Sequence, residues 1–468
     1  MPKGEMGPRR KAFTQVAGRR CAWLQLSYLE ASLLVGYCLL NLLWVTWFAK
    51  DEWILADQMG YLAACNGLFV VIPASRNSVW AWIFGLPFDK TITIHRWLGR
   101  LVFFEASLHF ALYFRSDSYM TTELLFDVPK YKDGWYSWLA LLAVFVTSIE
   151  YLRRRKYHLF YIFHFAFLGF YWFAWAHTPK FAFYGWWAMF FYGFDKLQRF
   201  LRGVLSARRV DKMELVPGTQ ILRVSILKPW WAYPQLGQYI FLNFPQISRL
   251  EWHPYTLASS PLEQYYEVDI KSLGDHTEKL VRTFQSGEHP YVRVDGPYGK
   301  VVINPRRYRS LVFVCGGIGV TPMISMLRWY YLVNAPPEVA AKQSVHLAEF
   351  VYFVWVVDQR TTYDVFRDTI LKCVARAQKP GFPAFVPLIH VTRDDKVDAA
   401  AYGLSPSAVF AGRPDLKHVL SSVKANGIQR HAVYCCGPSQ LVSQTWDATT
   451  ESTDSQVQFA FHHETFEF

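Results

Sequence analysis

The stretch His95-Arg96-Trp97-Leu98-Gly99-Arg100-Leu101-Val102-Phe103-Phe104-Glu105-Ala106-Ser107-Leu108-His109 is mostly apolar and is bracketed by two histidines 14 residues apart. A second such stretch runs from His164 through Phe165-Ala166-Phe167-Leu168-Gly169-Phe170-Tyr171-Trp172-Phe173-Ala174-Trp175-Ala176 to His177, a spacing of 13. Within a bilayer, ionisable side chains are costly and usually functional. One histidine at such a depth is ordinarily a helix-packing residue. Two pairs, on two segments, at nearly equal spacing, point instead to a shared task.

Working outward, apolar segments fall at about 23–48, 58–75, 92–114, 135–152, 158–177 and 181–200, each near the ~20 residues that a bilayer-crossing helix needs. The first follows Arg9, Arg10, Lys11, Arg19 and Arg20. It is too long for a signal peptide and no small-residue cleavage site follows it, so it is expected to be retained, with its N-terminus in the cytoplasm. Arg153-Arg154-Arg155-Lys156, and the run Lys196, Arg199, Arg202, Arg208 and Arg209, then also fall on the cytoplasmic side. The 115–134 loop, of mixed sign, falls outside. Net charge is +12, hydrophobic residues make up 52% and charged residues 18% of the 468. This excludes a disordered or coiled-coil chain, and the positive-inside pattern accounts for the basic excess without nucleic acid. Seven cysteines show no C-x-x-C spacing, so neither a disulfide framework, a thiolate zinc site nor covalent haem of the c type is expected.

The third and fifth spans run in the same direction, so first pairs with first: His95 with His164, and His109 with His177. Each pair lies roughly 20 Å from the other along its helix, enough to put one site near each leaflet. Two neutral imidazoles on one iron describe bis-histidine haem, a site that favours electron transfer over oxygen binding at iron. Fourteen residues fall about 40° short of four helical turns, but 13 fall about 140° short. The fifth span must therefore tilt, bend or carry a winding defect. His158, beside the arginine run, is expected to be interfacial.

After about residue 205 the pattern changes to short β-rich runs, then to an apolar strand, a Gly-rich turn and a helix, as in a small barrel followed by an open α/β sheet. His253-Pro254-Tyr255-Thr256-Leu257-Ala258-Ser259-Ser260 suits a flavin: an aromatic packs along the ring system while a hydroxyl bonds its polar edge. Lys271-Ser272-Leu273-Gly274-Asp275-His276-Thr277 offers a cation, a close-approach glycine and a helix start to a pyrophosphate. Gly316-Gly317-Ile318-Gly319-Val320-Thr321-Pro322 sits between strand and helix, the context that gives a glycine loop its meaning. Cys435-Cys436-Gly437-Pro438 ends a later strand at the same sheet edge, with Cys436 expected beside a nicotinamide. Arg413, in Gly412-Arg413-Pro414, could meet a 2′-phosphate. An acid, Asp358, follows the strand at Trp355-Val356-Val357 and could instead favour a ribose hydroxyl, which leaves NADH open beside NADPH.

In this order the motifs, with Val294-Asp295-Gly296-Pro297-Tyr298-Gly299, resemble the ferric reductase and NADPH oxidase superfamily. The resemblance implies a multi-domain membrane protein. Its parts would be a cytoplasmic tail (1–22), a six-helix transmembrane haem bundle (23–205), an FAD-binding β-barrel (206–305) and an NAD(P)H-binding α/β domain (306–468), the last two forming a ferredoxin–NADP reductase-like module. It implies two b-type haems on His95, His109, His164 and His177. FAD would lie on His253, Pro254, Tyr255, Thr256, Ser259, Lys271, Gly274 and Thr277, with Phe468 covering the flavin. NADPH would lie on Gly317, Gly319, Thr321, Pro322, Arg413, Cys436, Gly437 and Pro438.

Within the superfamily, His95–Arg100 and His390-Val391-Thr392-Arg393 look more like fungal metalloreductases than oxidases. The expected activity is electron transfer from cytosolic NADPH through FAD and both haems to an Fe(III) or Cu(II) chelate across the lipid bilayer, with the plasma membrane as the expected location. The alternatives are a superoxide-generating oxidase and, from another class, a catalytically idle haem-binding scaffold.

Overall fold

In a computed structural model of the chain, the described residues are 20–21, 26–48, 51–76, 83, 88–115, 122–230, 232–284, 289–299, 304–332, 348–394 and 397–464. The chain divides into two units, Met1–Gln198 and Arg199–Phe468.

The first unit is helical. Each of the six apolar stretches contains a helix: α1 (Tyr28–Phe48), α2 (Glu52–Ala74), α3 (Phe88–Arg115), α4 (Pro129–Thr147), α5 with α6 (Tyr157–His164 and Ala166–His177), and α7 (Ala182–Leu205). Among the described residues, three segments are long and apolar enough to cross a membrane: Glu30–Phe48, Ile54–Ala74 and Tyr157–His177. The α3 helix does not qualify on composition because Arg96, Arg100 and Glu105 interrupt it. The fourth span ends earlier than its apolar run: α4 stops at Thr147 and a separate short helix carries Glu150–Arg155. Large apolar side chains such as Trp47, Phe104, Trp172 and Phe183 face outward, as lipid requires of a surface with no water to exclude.

Inside, α2 packs along α3 and α4 along α6. A buried polar chain ties three helices. The Tyr37 hydroxyl donates to Asn66 Oδ1 at 2.5 Å, and Asn66 Nδ2 donates to the Glu105 carboxylate at 2.8 Å. The Tyr171 hydroxyl of α6 donates to the Gly67 carbonyl of α2 at 2.5 Å. Unmet polar groups in hydrocarbon cost several kcal/mol, so these bonds fix the register of the helices that share them.

The second unit opens with seven antiparallel strands: β1 (Ala207–Arg209), β2 (Lys212–Leu215), β3 (Ile221–Leu227), β4 (Tyr239–Asn243), β5 (His253–Thr256), β6 (Tyr265–Lys271) and β7 (Tyr291–Tyr298). They form two sheets, β1-β7-β4-β5 and β2-β3-β6. Helix α8 (Asp275–Thr283) follows β6. Val224, Ile226, Leu242, Phe244, Tyr266 and Val268 fill the core between the sheets, all fully buried. The alternation of inward apolar and outward polar residues along β3 and β6 places them there.

Then comes a six-stranded parallel sheet built from β8 (Ser310–Gly316), β9 (Phe350–Val357), β10 (Ala384–Val391), β11 (Val409–Ala411), β12 (Arg430–Cys436) and β13 (Gln458–Glu464). Its order is β11-β10-β9-β8-β12-β13. The central strands are buried on both faces, hence their unbroken runs of Val, Leu, Phe and Cys. The order reverses at β8, whose neighbours are β9 on one side and β12 on the other, and a ligand crevice is expected at that reversal. Two ion pairs join the barrel to the α/β part, Arg328 Nη1 to Glu267 at 2.5 Å and Arg328 to Glu263, while Arg223 Nε pairs with Asp269 at 2.7 Å across neighbouring barrel strands. Burial pushes the Asp269 carboxyl up to about 6 against the pull of Arg223.

Candidate functional site

In the helical unit, His95 (α3) faces His164 (the end of α5) with ring centroids 6.0 Å apart, and His109 (α3) faces His177 (the end of α6) at 6.2 Å. First is thus beside first, as the parallel directions of the third and fifth spans imply. Imidazole–metal bonds of about 2.0–2.1 Å on each side of one ion set two ring centroids roughly 6 Å apart. Both pairs stand at that separation.

The outward nitrogens are held. His95 Nδ1 lies 2.9 Å from the Val70 carbonyl, His109 Nδ1 2.7 Å from the Ala56 carbonyl and His177 Nδ1 2.7 Å from the Lys130 carbonyl. His164 Nδ1 lies 3.4 Å from Ser148 Oγ. A carbonyl at Nδ1 fixes the proton there and turns the Nε2 lone pair inward, the tautomer that a metal-binding imidazole needs.

Space is reserved as well. A Cβ on Gly134 would stand 2.7 Å from His177 Nδ1, and one on Gly60 3.0 Å from the His109 ring. Only glycine lets these helices approach the imidazoles so closely. A cavity of about 310 Å³ opens between the second pair, lined by Ala63, Ala64, Ala106 and Phe170, with Asp57, Lys130 and Lys180 among its polar residues. Donor set, tautomer and glycine cradles all fit haem. The sequence reading missed Gly60 and Gly134, since a glycine within a helical run carries no sign of the ring that will lie against it.

The 13-residue spacing has a local explanation. Phe165 interrupts the helix immediately after His164, and its N–H reaches the Ile162 carbonyl, while Leu168 N–H reaches Phe165 O at 3.0 Å. Such i→i+3 bonds tighten the winding to about 120° per residue from 100°. This restores part of the rotation that brings His177 round to the face of His164.

In the second unit, the crevice at the β8/β12 reversal is formed by interlocked glycines. A Cβ on Gly319 would lie 2.8 Å from the Cys436 carbonyl, one on Gly316 2.9 Å from the Pro438 ring, and one on Gly437 3.0 Å from Gly316 N. Gly317 adopts φ +54°, and its carbonyl accepts from Trp355 Nε1 at 2.9 Å. Pro322 occupies the first turn of helix α9 (Thr321–Leu327), where its missing N–H costs nothing. The Thr321 hydroxyl donates back to the Ile318 carbonyl at 3.3 Å. Burial, then the nearby Glu464, holds the Cys436 thiol well above its ordinary value, so it is a neutral packing group at the crevice floor. Arg413 is exposed beyond β11. Asp358 Oδ1 accepts from the Thr362 hydroxyl at 2.7 Å and from Gln359 N at 3.0 Å, so its carboxylate already holds the next helical turn.

Of the expected flavin residues, Tyr255 has a buried hydroxyl with no hydrogen-bond partner among the described residues, an atom that a bound ring system could satisfy. Pro254 and Thr256 sit on β5, paired with β4. Ser259 and Thr277 work on the chain itself. Ser259 Oγ accepts from Glu267 N at 3.1 Å, and Thr277 Oγ1 accepts from Leu273 N and Gly274 N while capping α8. Lys271 closes β6 near Asp358. His253 stacks on His276, a contact the sequence did not announce. Phe468 lies outside the described residues.

Residues 59–175 match the family described as ferric reductase like transmembrane component, 206–302 an FAD-binding domain, and 308–450 the ferric reductase NAD binding domain. The chain is also 30% identical over 299 residues to NADPH oxidase 1 of Rattus norvegicus, which covers 59% of this chain and 51% of that one. The chain belongs to the ferric reductase/NADPH oxidase superfamily. A plant member, the putative respiratory burst oxidase homolog protein G of Arabidopsis thaliana, is 25% identical over 323 residues, 59% of this chain and 38% of that one. The chain spans about half the length, or less, of these curated superfamily relatives. Among solved structures, a ferredoxin NADP+ reductase from Neisseria gonorrhoeae with bound FAD and NADP is 16% identical at TM-score 0.39, covering 55% of this chain and 97% of that one.

Proposed function

We propose that this superfamily member is a transmembrane oxidoreductase that takes electrons from NAD(P)H on one side of a membrane to a one-electron acceptor on the other. The observation that carries this is the pair of imidazole couples on α3 and α5–α6, each at the separation that two imidazoles on one metal ion would take. When bound, FAD and two b-type haems supply the hydride-accepting and one-electron carriers that the chain itself lacks. His95 and His164 hold one haem and His109 and His177 the other. The carbonyls of Val70, Ala56 and Lys130 keep three of these rings in the ligating tautomer. In the second unit, Tyr255, Thr256 and Lys271 bind the flavin, Ser259, Gly274 and Thr277 shape its loops, and Phe468 covers it. Gly317, Gly319, Thr321, Pro322, Cys436, Gly437 and Pro438 form the bed of the nicotinamide nucleotide, with Arg413 at its far end.

Two acceptors have specific support. The oxidase names of the curated relatives favour dioxygen, with superoxide as product. The His95–Arg100 and His390–Arg393 segments favour an Fe(III) or Cu(II) chelate. The test is a reduced-minus-oxidised spectrum of the purified protein with NADPH and then NADH, followed by oxygen or Fe(III)-chelate. Paired α-bands should appear with NADPH and decay on adding the true acceptor. A haem that stays oxidised with either nucleotide would leave the idle scaffold as the surviving reading.

A further inference from the structure

The exposed face of α7 carries Phe190, Phe194, Leu197, Leu201 and Leu205, at the i, i+4, i+7 spacing that keeps them on one stripe of the helix. The apolar segment ends at about residue 200, yet the stripe runs on to Leu205, the last residue of α7. Among the described residues of the second unit, Leu205, Leu250 and Leu273 are the three most exposed leucines, at 77%, 82% and 75%, and the next stands at 48%. Single exposed leucines are ordinary, but three gathered at one place mark a contact surface. These three lie at one end of the barrel. Leu250 sits in the loop before β5 and Leu273 in the loop after β6, and the two loops meet where Glu251 Oε2 stands 3.2 Å from His276 Nδ1. Trp252 packs on the end of α7, its ring 3.0 Å from where a Cβ on Gly203 would be. At 1.5 Å per residue, Gly203 is roughly 5 Å along the helix from the end of the apolar segment. Arg249, next to Leu250, and Arg209, four residues after Leu205, are both exposed.

We propose that Leu205, Leu250 and Leu273 sink into the interfacial layer of the bilayer that α7 crosses, with Arg209 and Arg249 reaching its phosphates, so that this end of the barrel rests on lipid. The leucines gain by leaving water. An arginine suits the same layer because its apolar stem lies among acyl chains while its guanidinium meets phosphate with two hydrogen bonds. The acids nearby have other duties: Glu251 faces His276, and Asp275 opens α8, where negative charge suits the helix start. Both loops carry flavin segments, His253 to Thr256 following one and Gly274 to Thr277 closing the other. Lipid contact at Leu250 and Leu273 therefore holds those segments at the membrane surface. The inference rests on α7 as a membrane span and not on which acceptor the protein reduces.

The test uses the full chain, with its haem, in phosphatidylcholine nanodiscs. Cys21, Cys38 and Cys65 are replaced by alanine, which leaves four buried cysteines, and every variant is required to keep the parent Soret band. A polarity-sensitive NBD label is then placed on Leu250→Cys, Leu273→Cys, Phe190→Cys or Leu262→Cys. Leu262, 42% exposed, precedes β6 whereas Leu273 follows it, so the seven residues of that strand, roughly 23 Å, separate control from site. Labels at Leu250 and Leu273 should emit to the blue of the Leu262 label, lose most of their emission to shallow doxyl-labelled lipid and resist iodide in the water. The Leu262 label should do the reverse. Doxyl quenching at Phe190 with Leu250 and Leu273 behaving like Leu262 would overturn the lipid contact alone, while no quenching at Phe190 would remove the span on which it rests. Shielding from iodide without doxyl quenching at Leu250 and Leu273 would mean a protein cover, such as a second copy of the chain, and would equally overturn it.

Discussion

Gly134 is where one hydrogen atom decides whether a ring can sit. The missing Cβ would be 2.7 Å from His177 Nδ1, well inside van der Waals contact, and the listening carbonyl of Lys130 holds that nitrogen from behind. Gly134→Ala should therefore expel the His177 ring and lower bound haem from two per chain toward one, read as a halved Soret absorbance per protein. Gly99→Ala is the control: it lies on the helix of His95 and His109, nothing stands within 4 Å of its added methyl, and Ala is favoured over Gly in a helix by about 1 kcal/mol. Equal haem loss in both variants would show that the cradle at Gly134 has no special role. His431 gives a second residue-scale expectation. It is fully buried at the start of β12, stacked on Phe459, and burial pushes it down from 6.5 to about 4. Between these values the unfolded chain binds a proton that the native state refuses, so stability falls as pH drops from about 6.5 to 4, by about 3 kcal/mol in all. His431→Leu should flatten that part of the pH–stability curve relative to the parent, measured by denaturant unfolding of the second unit followed through tryptophan fluorescence. Parallel curves would refute it.

At the scale of elements, the buried chain Tyr37–Asn66–Glu105 joins α1, α2 and α3 through side chains that hydrocarbon cannot solvate. Asn66→Leu removes the donor that meets the Glu105 carboxylate and should cost about 1–3 kcal/mol. Asn66→Leu with Glu105→Leu should recover much of that loss, because no unmet acceptor then remains. Thermal unfolding of the detergent-purified protein separates the two, and a double variant no better than the single one would mean that the bonds do not matter to the bundle. Most strands of the second unit and the glycine turn after β8 were legible in the sequence, but β1, β2, β5 and β11, each four residues or fewer, are too short to show a pattern. Period-two alternation marks β3 and β6, all-apolar runs mark β8, β9 and β12, and a glycine loop between strand and helix has few other uses. The histidine pairs were legible too, since ionisable residues are rare enough in apolar runs for spacing to carry meaning. That the fifth span departs from ideal winding was legible in the 13-residue spacing, but the place of the break after His164 was not, because Phe165 has ordinary helix propensity. Likewise Glu251 and His276 meet only because β5 and α8 fold against each other; a sequence separation of 25 hides that contact.

At the scale of the whole molecule, the two units carry separable tasks, and variants in one should leave the other working. The two histidine pairs occupy different ends of α3, so losing a ligand from either should interrupt traffic at a different point. His164→Ala should leave NADPH-driven flavin reduction at the parental rate, since no residue of the glycine crevice or of the His253–Ser260 segment changes, yet reduce export to the far-side acceptor to background. His177→Ala should also abolish export but retain one haem reducible by NADPH, because His95 and His164 remain paired at 6.0 Å. The order of the carriers thus appears as a difference between two variants with the same loss of activity. Stopped-flow absorbance at the flavin and Soret wavelengths resolves it: bleaching of flavin in both, and haem reduction by NADPH only in His177→Ala. Haem reduction persisting in His164→Ala would mean that electrons enter at the His109–His177 end, and the direction of flow through the bundle would have to be reversed.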